Sequence, residues 1–78
     1  LTKVLASEFA PVRVNCVSPG LVDTPLLRSV RPASSPPPPQ PVARVAEPDE
    51  IAFQILACAL NPFMTGAIVD VDGGLALT

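Results

Sequence analysis

The chain has 78 residues, of which 49% are apolar and 15% charged, with a net charge of −2 and no histidine. So many apolar residues in so short a chain exceed what one small domain buries, so we expect the chain to pack against further protein. The negative net charge argues against a nucleic-acid-binding surface. The lack of histidine excludes Ser-His-Asp triads and most zinc sites. No apolar run is long enough to span a bilayer.

Residues 1–10 predict an amphipathic helix. Leu1, Val4, Leu5 and Phe9 recur at helical spacing and form one apolar stripe, and Pro11 ends the pattern. No capping residue precedes Leu1, so we expect the helix to begin upstream of this chain.

Residues 12–18 predict a strand that is covered on both faces, as in a parallel sheet, and Pro19-Gly20 breaks it. Residues 21–31 predict a loop with one helical turn. Residues 32–41 are proline-rich and contain four consecutive prolines. Proline excludes both a helix and a central strand, so we expect an extended polyproline II segment that reaches about 30 Å.

Residues 48–60 predict the second helix, with Pro48 at its first position and Asn61-Pro62 as its stop. Residues 67–72 alternate as a strand does, and Gly73-Gly74 ends it. Strand, helix and strand in this order indicate a right-handed crossover between parallel strands. The elements therefore predict an α/β fold, the closing part of a doubly wound parallel sheet that is incomplete as given.

Four blocks of sequence carry a family resemblance. They read LTKVLASEFAP at 1–11, RVNCVSPG at 13–20, EPDEIA at 47–52, and PFMTG followed by VDGG between 62 and 74. In this order they resemble the C-terminal segment of the short-chain dehydrogenase/reductase family. The resemblance implies that residues 1–78 are a fragment of a Rossmann-like domain. It also implies an oxidoreductase whose last helix and strand would make subunit contacts in a homodimer or homotetramer. We expect the protein to be cytoplasmic and to have no nucleic-acid or membrane partner.

The resemblance further implies a nicotinamide cofactor, NAD or NADP, and hydride transfer between it and an alcohol/carbonyl substrate. Pro19, Gly20, Val22 and Thr24 would form one wall of the cofactor site, at the end of a strand where open α/β sheets bind ligands. Val22 would offer backbone groups to the carboxamide, and Thr24 a hydroxyl to the same amide or to a phosphate. The alternative is a plain loop in which Thr24 caps a short turn before Pro25.

No catalytic residue is assigned within the chain. It has no tyrosine, so the family's Tyr-x-x-x-Lys motif is absent, and none of its glycines forms the family's dinucleotide-binding turn. Lys3 lies too late in the first helix to be the catalytic lysine, and Ser18 does not match the catalytic serine. Asp70 and Asp72 share a strand face, but the turn after Asp72 matches a structural turn of the family, so no metal is assigned.

Residues 28–47 form a proline-rich loop in place of the family's substrate-binding lid, which indicates either an unusual lid or an aberrant stretch of sequence. Two alternatives stay open: a truncated, catalytically inactive chain, and a polyproline segment that binds an SH3-type module. We expect the 78 residues alone neither to bind NAD(H) tightly nor to turn over substrate. Cys16 and Cys58 are expected to be buried, reduced thiols, and Asn15 to hold a neighbouring loop.

Overall fold

The computed structural model describes all 78 residues as three α-helices, two short strands and a closing 3-10 helix. In chain order these are α1 (Thr2–Glu8), β1 (Cys16–Pro19), α2 (Pro25–Val30), α3 (Pro48–Leu60), β2 (Ile68–Val71) and the 3-10 helix (Leu75–Leu77). The two strands pair in parallel, with Cys16 opposite Ile68, and α3 contacts β1. The predicted parallel layer is therefore confirmed.

The first strand is shorter at its start than predicted, beginning at Cys16 rather than at Val12. The reason lies at Val14, whose N–H donates to the Thr65 hydroxyl at 3.2 Å instead of to a neighbouring main chain. Its carbonyl accepts from the Gly66 N–H at 2.8 Å. The backbone before Cys16 is thus held by a loop and joins no regular strand ladder.

The segment between the strands also differs from expectation. In place of one helical turn, six residues form α2. The proline-rich segment turns at both ends, because the Ser35 N–H donates to the Pro32 carbonyl and the Gln40 N–H to the Pro38 carbonyl, each at 2.9 Å. The expectation of one extended segment over 32–41 is therefore wrong.

Arg13 and Asn15 fasten the loop between α3 and β2 to the start of β1. The Arg13 guanidinium donates to three main-chain carbonyls at 2.7–3.1 Å, those of Ala59, Cys58 and Met64. The Asn15 amide donates to the Met64 carbonyl at 2.9 Å and accepts from the Ala67 N–H at 3.1 Å. The prediction that Asn15 holds a neighbouring loop is confirmed.

Very little of the chain is buried. Only four of the 78 residues are, and the apolar ones among them include Ala6 and Cys58. Both cysteines are free thiols, but Cys16 is only half-buried. The predicted apolar stripe of the first helix is largely exposed, with Leu1 91% accessible and Val4 and Phe9 58% each, because a two-stranded layer is too small to cover it. No helix has the length and apolar content needed to cross a membrane.

Candidate cofactor-binding site

The connection from Pro19 to Thr24 leaves the carboxyl end of the parallel layer. The Gly20 N–H donates to the Val71 carbonyl at 3.2 Å, which keeps the connection on β2 for one residue beyond β1. Pro19, Gly20, Val22 and Thr24 therefore lie on one short connection, at the end of the sheet where open α/β folds bind ligands.

Glycine is required at position 20 by the close approach of two backbones. A Cβ atom there would lie 2.9 Å from the Asp72 Cα and 3.1 Å from the Asp72 carbonyl oxygen. The backbone of Gly20 does not have a positive φ, so this contact and not backbone conformation selects glycine. Pro19 ends β1, where the missing N–H of a proline is tolerated. Gly20, directly after Pro19, therefore packs the connection closely against Asp72, the residue that follows β2.

Val22 presents main-chain groups that nothing else in the structure uses. It forms an isolated parallel bridge with Ala46: the Ala46 N–H donates to the Leu21 carbonyl at 2.9 Å, and the Asp23 N–H donates to the Ala46 carbonyl at 2.8 Å. In such a bridge the N–H and C=O of the middle residue point to the opposite side. Neither group of Val22 is hydrogen-bonded. One donor and one acceptor, side by side, complement a carboxamide.

Thr24 is the N-cap of α2. Its hydroxyl oxygen accepts from the Leu27 N–H at 3.2 Å, and Pro25 occupies the first helical position. Thr24 therefore has the capping role that the alternative interpretation gave it, although the element that it caps is a six-residue helix and not a short turn. A hydroxyl that accepts one hydrogen bond still has a proton to donate, so the contact of Thr24 with a cofactor stays a prediction.

Asp23 and Arg28 form an ion pair that links the connection to α2. The guanidinium donates to both carboxylate oxygens, at 2.7 and 2.9 Å. These hydrogen bonds from Arg28 lower the pKa of Asp23, so the carboxylate stays charged across the neutral range. The pair is exposed, so its main effect is to orient the first turn of α2.

Asp72 stabilises the turn after β2. One carboxylate oxygen accepts from the Gly74 N–H and the other from the Ala76 N–H, each at 3.0 Å. Both oxygens are therefore engaged by main chain, as a structural turn requires. Asp70 is exposed, and no group of three or more metal-ligating side chains is present.

The end of the proline-rich segment packs on this turn. The Val42 N–H donates to the Gly73 carbonyl at 2.9 Å, and the buried Gln40 amide donates to the Val42 carbonyl at 3.0 Å. Gly74 has a φ of +86°, and a Cβ there would lie 2.6 Å from the Pro41 ring. The segment is thus docked against the site through its last residues.

Ala46 and Gln40 were not singled out by the sequence analysis, although the site depends on both. Gln40 interrupts a proline run, and a lone amide among prolines is a signal that could have indicated a buried hydrogen-bonding role. Ala46 carries no such signal, because its contribution comes from its main chain alone.

Comparisons with known proteins place this site in context. The family model described as "Enoyl-(Acyl carrier protein) reductase" matches residues 1–76. A short-chain type dehydrogenase/reductase of Sinorhizobium fredii is 34% identical over 84 residues, covering 99% of this chain and 33% of that protein. The cis-4-hydroxycyclohexanecarboxylate dehydrogenase of Sinomonas cyclohexanicum is 42% identical over 85 residues, covering 95% and 32%. The chain spans about a third of the length of these relatives.

A solved structure shows the same arrangement of elements. The crystal structure of a small-chain dehydrogenase in complex with NADPH superposes with a TM-score of 0.77 at 37% sequence identity. The match covers 99% of this chain and 38% of that one. The partial doubly wound α/β fold predicted from the order of elements is therefore confirmed.

Proposed function

The chain belongs to the short-chain dehydrogenase/reductase family, and from that premise we propose that the protein transfers hydride between NAD(H) or NADP(H) and an alcohol/carbonyl pair. The nicotinamide ring supplies the hydride chemistry when it is bound, and the protein binds and orients. In this proposal the 78 residues supply one wall of the cofactor site and no catalytic side chain.

The observation that carries the proposal is the free N–H and C=O of Val22. A carboxamide bound there would donate to the Val22 carbonyl and accept from its N–H, which fixes which face of the ring meets the substrate. Ala46 holds the other side of the connection, so the two groups are oriented before a ligand arrives and little ordering entropy is lost on binding. We assign the hydroxyl proton of Thr24 to the same amide or to a phosphate.

We also propose that residues 28–47 form the lid over the substrate. The segment is fixed at its end to the turn after β2, through Val42 and Gly73, and at Ala46 to the connection that contains Val22. A lid built this way shapes the substrate site with little movement of its second half.

The test compares two substitutions of Val22 in the complete oxidoreductase domain, by fluorescence titration of NADPH and NADH. Val22→Pro removes the N–H donor, and we expect the affinity to fall by about tenfold or more, the usual cost of an unmade hydrogen bond in a desolvated site. Val22→Ala keeps both backbone groups, so it is the matched control and should bind within about twofold of the wild type.

A second measurement needs no variant. The 3-acetylpyridine analogue of the cofactor has a methyl group in place of the amide nitrogen, so it cannot donate to the Val22 carbonyl. It should bind the wild type and Val22→Ala more weakly than the natural cofactor does. Equal binding of the analogue, together with unchanged affinity in Val22→Pro, would contradict the proposal.

A further inference from the structure

A cleft of about 360 Å³ lies between α2 and the proline-rich segment. This volume falls in the range of small-molecule sites. One wall comes from α2, through Leu27 and Arg28, and the other from the prolines between 32 and 38 and from residues 43–45. Asp23 also lines it, so the cleft opens directly beside the connection that carries Val22 and Thr24.

The charge of this cleft is opposite to that of the whole chain. The chain has a net charge of −2 and only five Lys and Arg residues, yet three of them line the cleft, Arg28, Arg31 and Arg44. The single carboxylate in the lining is Asp23.

Arg31 is the one of the three that has no carboxylate partner. Arg28 is paired with Asp23 at 2.7 Å, and Arg44 with Glu50 at 2.7 Å. Arg31 is half-buried, and its guanidinium donates only to the Pro36 carbonyl. A guanidinium carries five N–H donors, so most of those on Arg31 are free to meet a ligand.

We propose that this cleft holds an anionic group of the substrate, a carboxylate or a phosphate, and that Arg31 is its principal donor. This inference rests on the proposed oxidoreductase function, because it places the anion beside the cofactor wall. A planar guanidinium recognises either group through two parallel hydrogen bonds.

The prolines contribute to the same recognition. The prolines have no N–H, so they offer an anion no donor, and the side-chain donors in the lining are the arginines and the Ser35 hydroxyl. The contact between Arg31 and the Pro36 carbonyl holds the guanidinium at that wall. The proline-rich segment thus supports a charged side chain, and the fixed φ angles of its prolines limit how far that support can move.

The experiment uses the complete oxidoreductase domain and measures binding rather than turnover. Two matched pairs of probes are titrated by ligand-observed NMR: 4-oxopentanoate against its methyl ester, and dihydroxyacetone phosphate against dihydroxyacetone. We expect one anionic probe to bind at least about tenfold more tightly than its neutral counterpart, as a charge-assisted hydrogen bond provides. The pair with the larger preference identifies the anion as carboxylate or phosphate.

Three variants assign that preference. Arg31→Gln should abolish it, and Arg31→Lys should keep part of it, because lysine retains the charge and loses the planar fork. Lys3→Gln removes an exposed cation outside the cleft and should change nothing. Circular dichroism of each variant checks the fold. Equal affinity for charged and neutral probes, or a full preference in Arg31→Gln, would overturn the proposal.

The same samples separate this inference from the proposed function. NADPH titration by fluorescence tests the cofactor site without the probes, and the probe titrations test the cleft without the cofactor. Loss of cofactor binding with an intact anion preference would refute the oxidoreductase function and leave the anion site standing. Cofactor binding with no anion preference would refute the inference alone.

Discussion

Arg13 shows how a single side chain determines the position of a helix. Its guanidinium reaches the carbonyls at the end of α3, where no intrahelical donor is available, and also the Met64 carbonyl in the following loop. A cation at a helix C-terminus also interacts favourably with the helix dipole. Arg13 therefore caps α3 and also anchors the loop that leads to β2.

We predict that Arg13→Ala, made in the complete oxidoreductase domain, frees the last turn of α3. The cost is on the order of 2 kcal/mol, the usual value for hydrogen bonds from a charged donor. Hydrogen exchange of the amides in that turn should accelerate by about tenfold or more. Arg13→Lys should give an intermediate result. Arg28→Ala breaks an exposed ion pair and serves as the control; equal acceleration in it would contradict the prediction.

At the scale of elements, the start of α3 is organised around Glu50. Its carboxylate accepts from the two terminal guanidinium nitrogens of Arg44, at 2.7 and 2.8 Å, and from the Glu47 N–H at 2.9 Å. The hydrogen bonds from Arg44, followed by that from Glu47, lower the pKa of Glu50 to about 2. The charged form is therefore the one that the folded helix favours.

The sign of the pH dependence follows from that lowered pKa. The contribution of Glu50 to stability is complete above the ordinary value of 4.5 and is lost as the pH falls from 4.5 towards about 2. Carbon-13 NMR of the Glu50 carboxyl should give a midpoint near the lower value. Glu50→Gln should remove this part of the acid sensitivity of α3, and Asp49→Asn, in the same turn, should retain it. A Glu50 midpoint near 4.5 would refute the prediction.

The elements differ in how well the sequence predicts them. The bounds of α3 were predictable, because Pro48 and Asn61-Pro62 mark both ends. The start of β1 was not, because the Thr65 hydroxyl competes for the Val14 N–H through a tertiary contact. The family pattern was enough to indicate the connection at 19–24. The free main-chain groups of Val22 were not predictable, because they depend on a tertiary bridge to Ala46.

At the scale of the whole molecule, the chain is less compact than its length allows. Its radius of gyration is 14.9 Å, against about 11.5 Å for a compact domain of this length. Its accessible surface is 5657 Å², against about 4,500 Å² for a compact monomer of this mass. The excess is comparable with what one partner buries in a protein interface.

We therefore predict that the 78 residues expressed alone neither melt cooperatively as a monomer nor bind NAD(H) tightly. Both strands have an open edge and the apolar helix faces are uncovered, so the peptide should self-associate. Calorimetry, size-exclusion chromatography and NADH fluorescence test this prediction. A sharp monomeric transition, or saturable nicotinamide binding at micromolar concentration, would contradict it.

The parallel pairing of β1 with β2 also has a consequence for synthesis on the ribosome. Asn15 and Ala67, which bond at the start of the sheet, are 52 positions apart in the chain. At about 5–20 residues per second, the nascent first strand waits roughly 3–10 s for its partner. A strand whose edge stays unpaired for so long is exposed to aggregation, and pairing between residues so far apart in the chain slows folding.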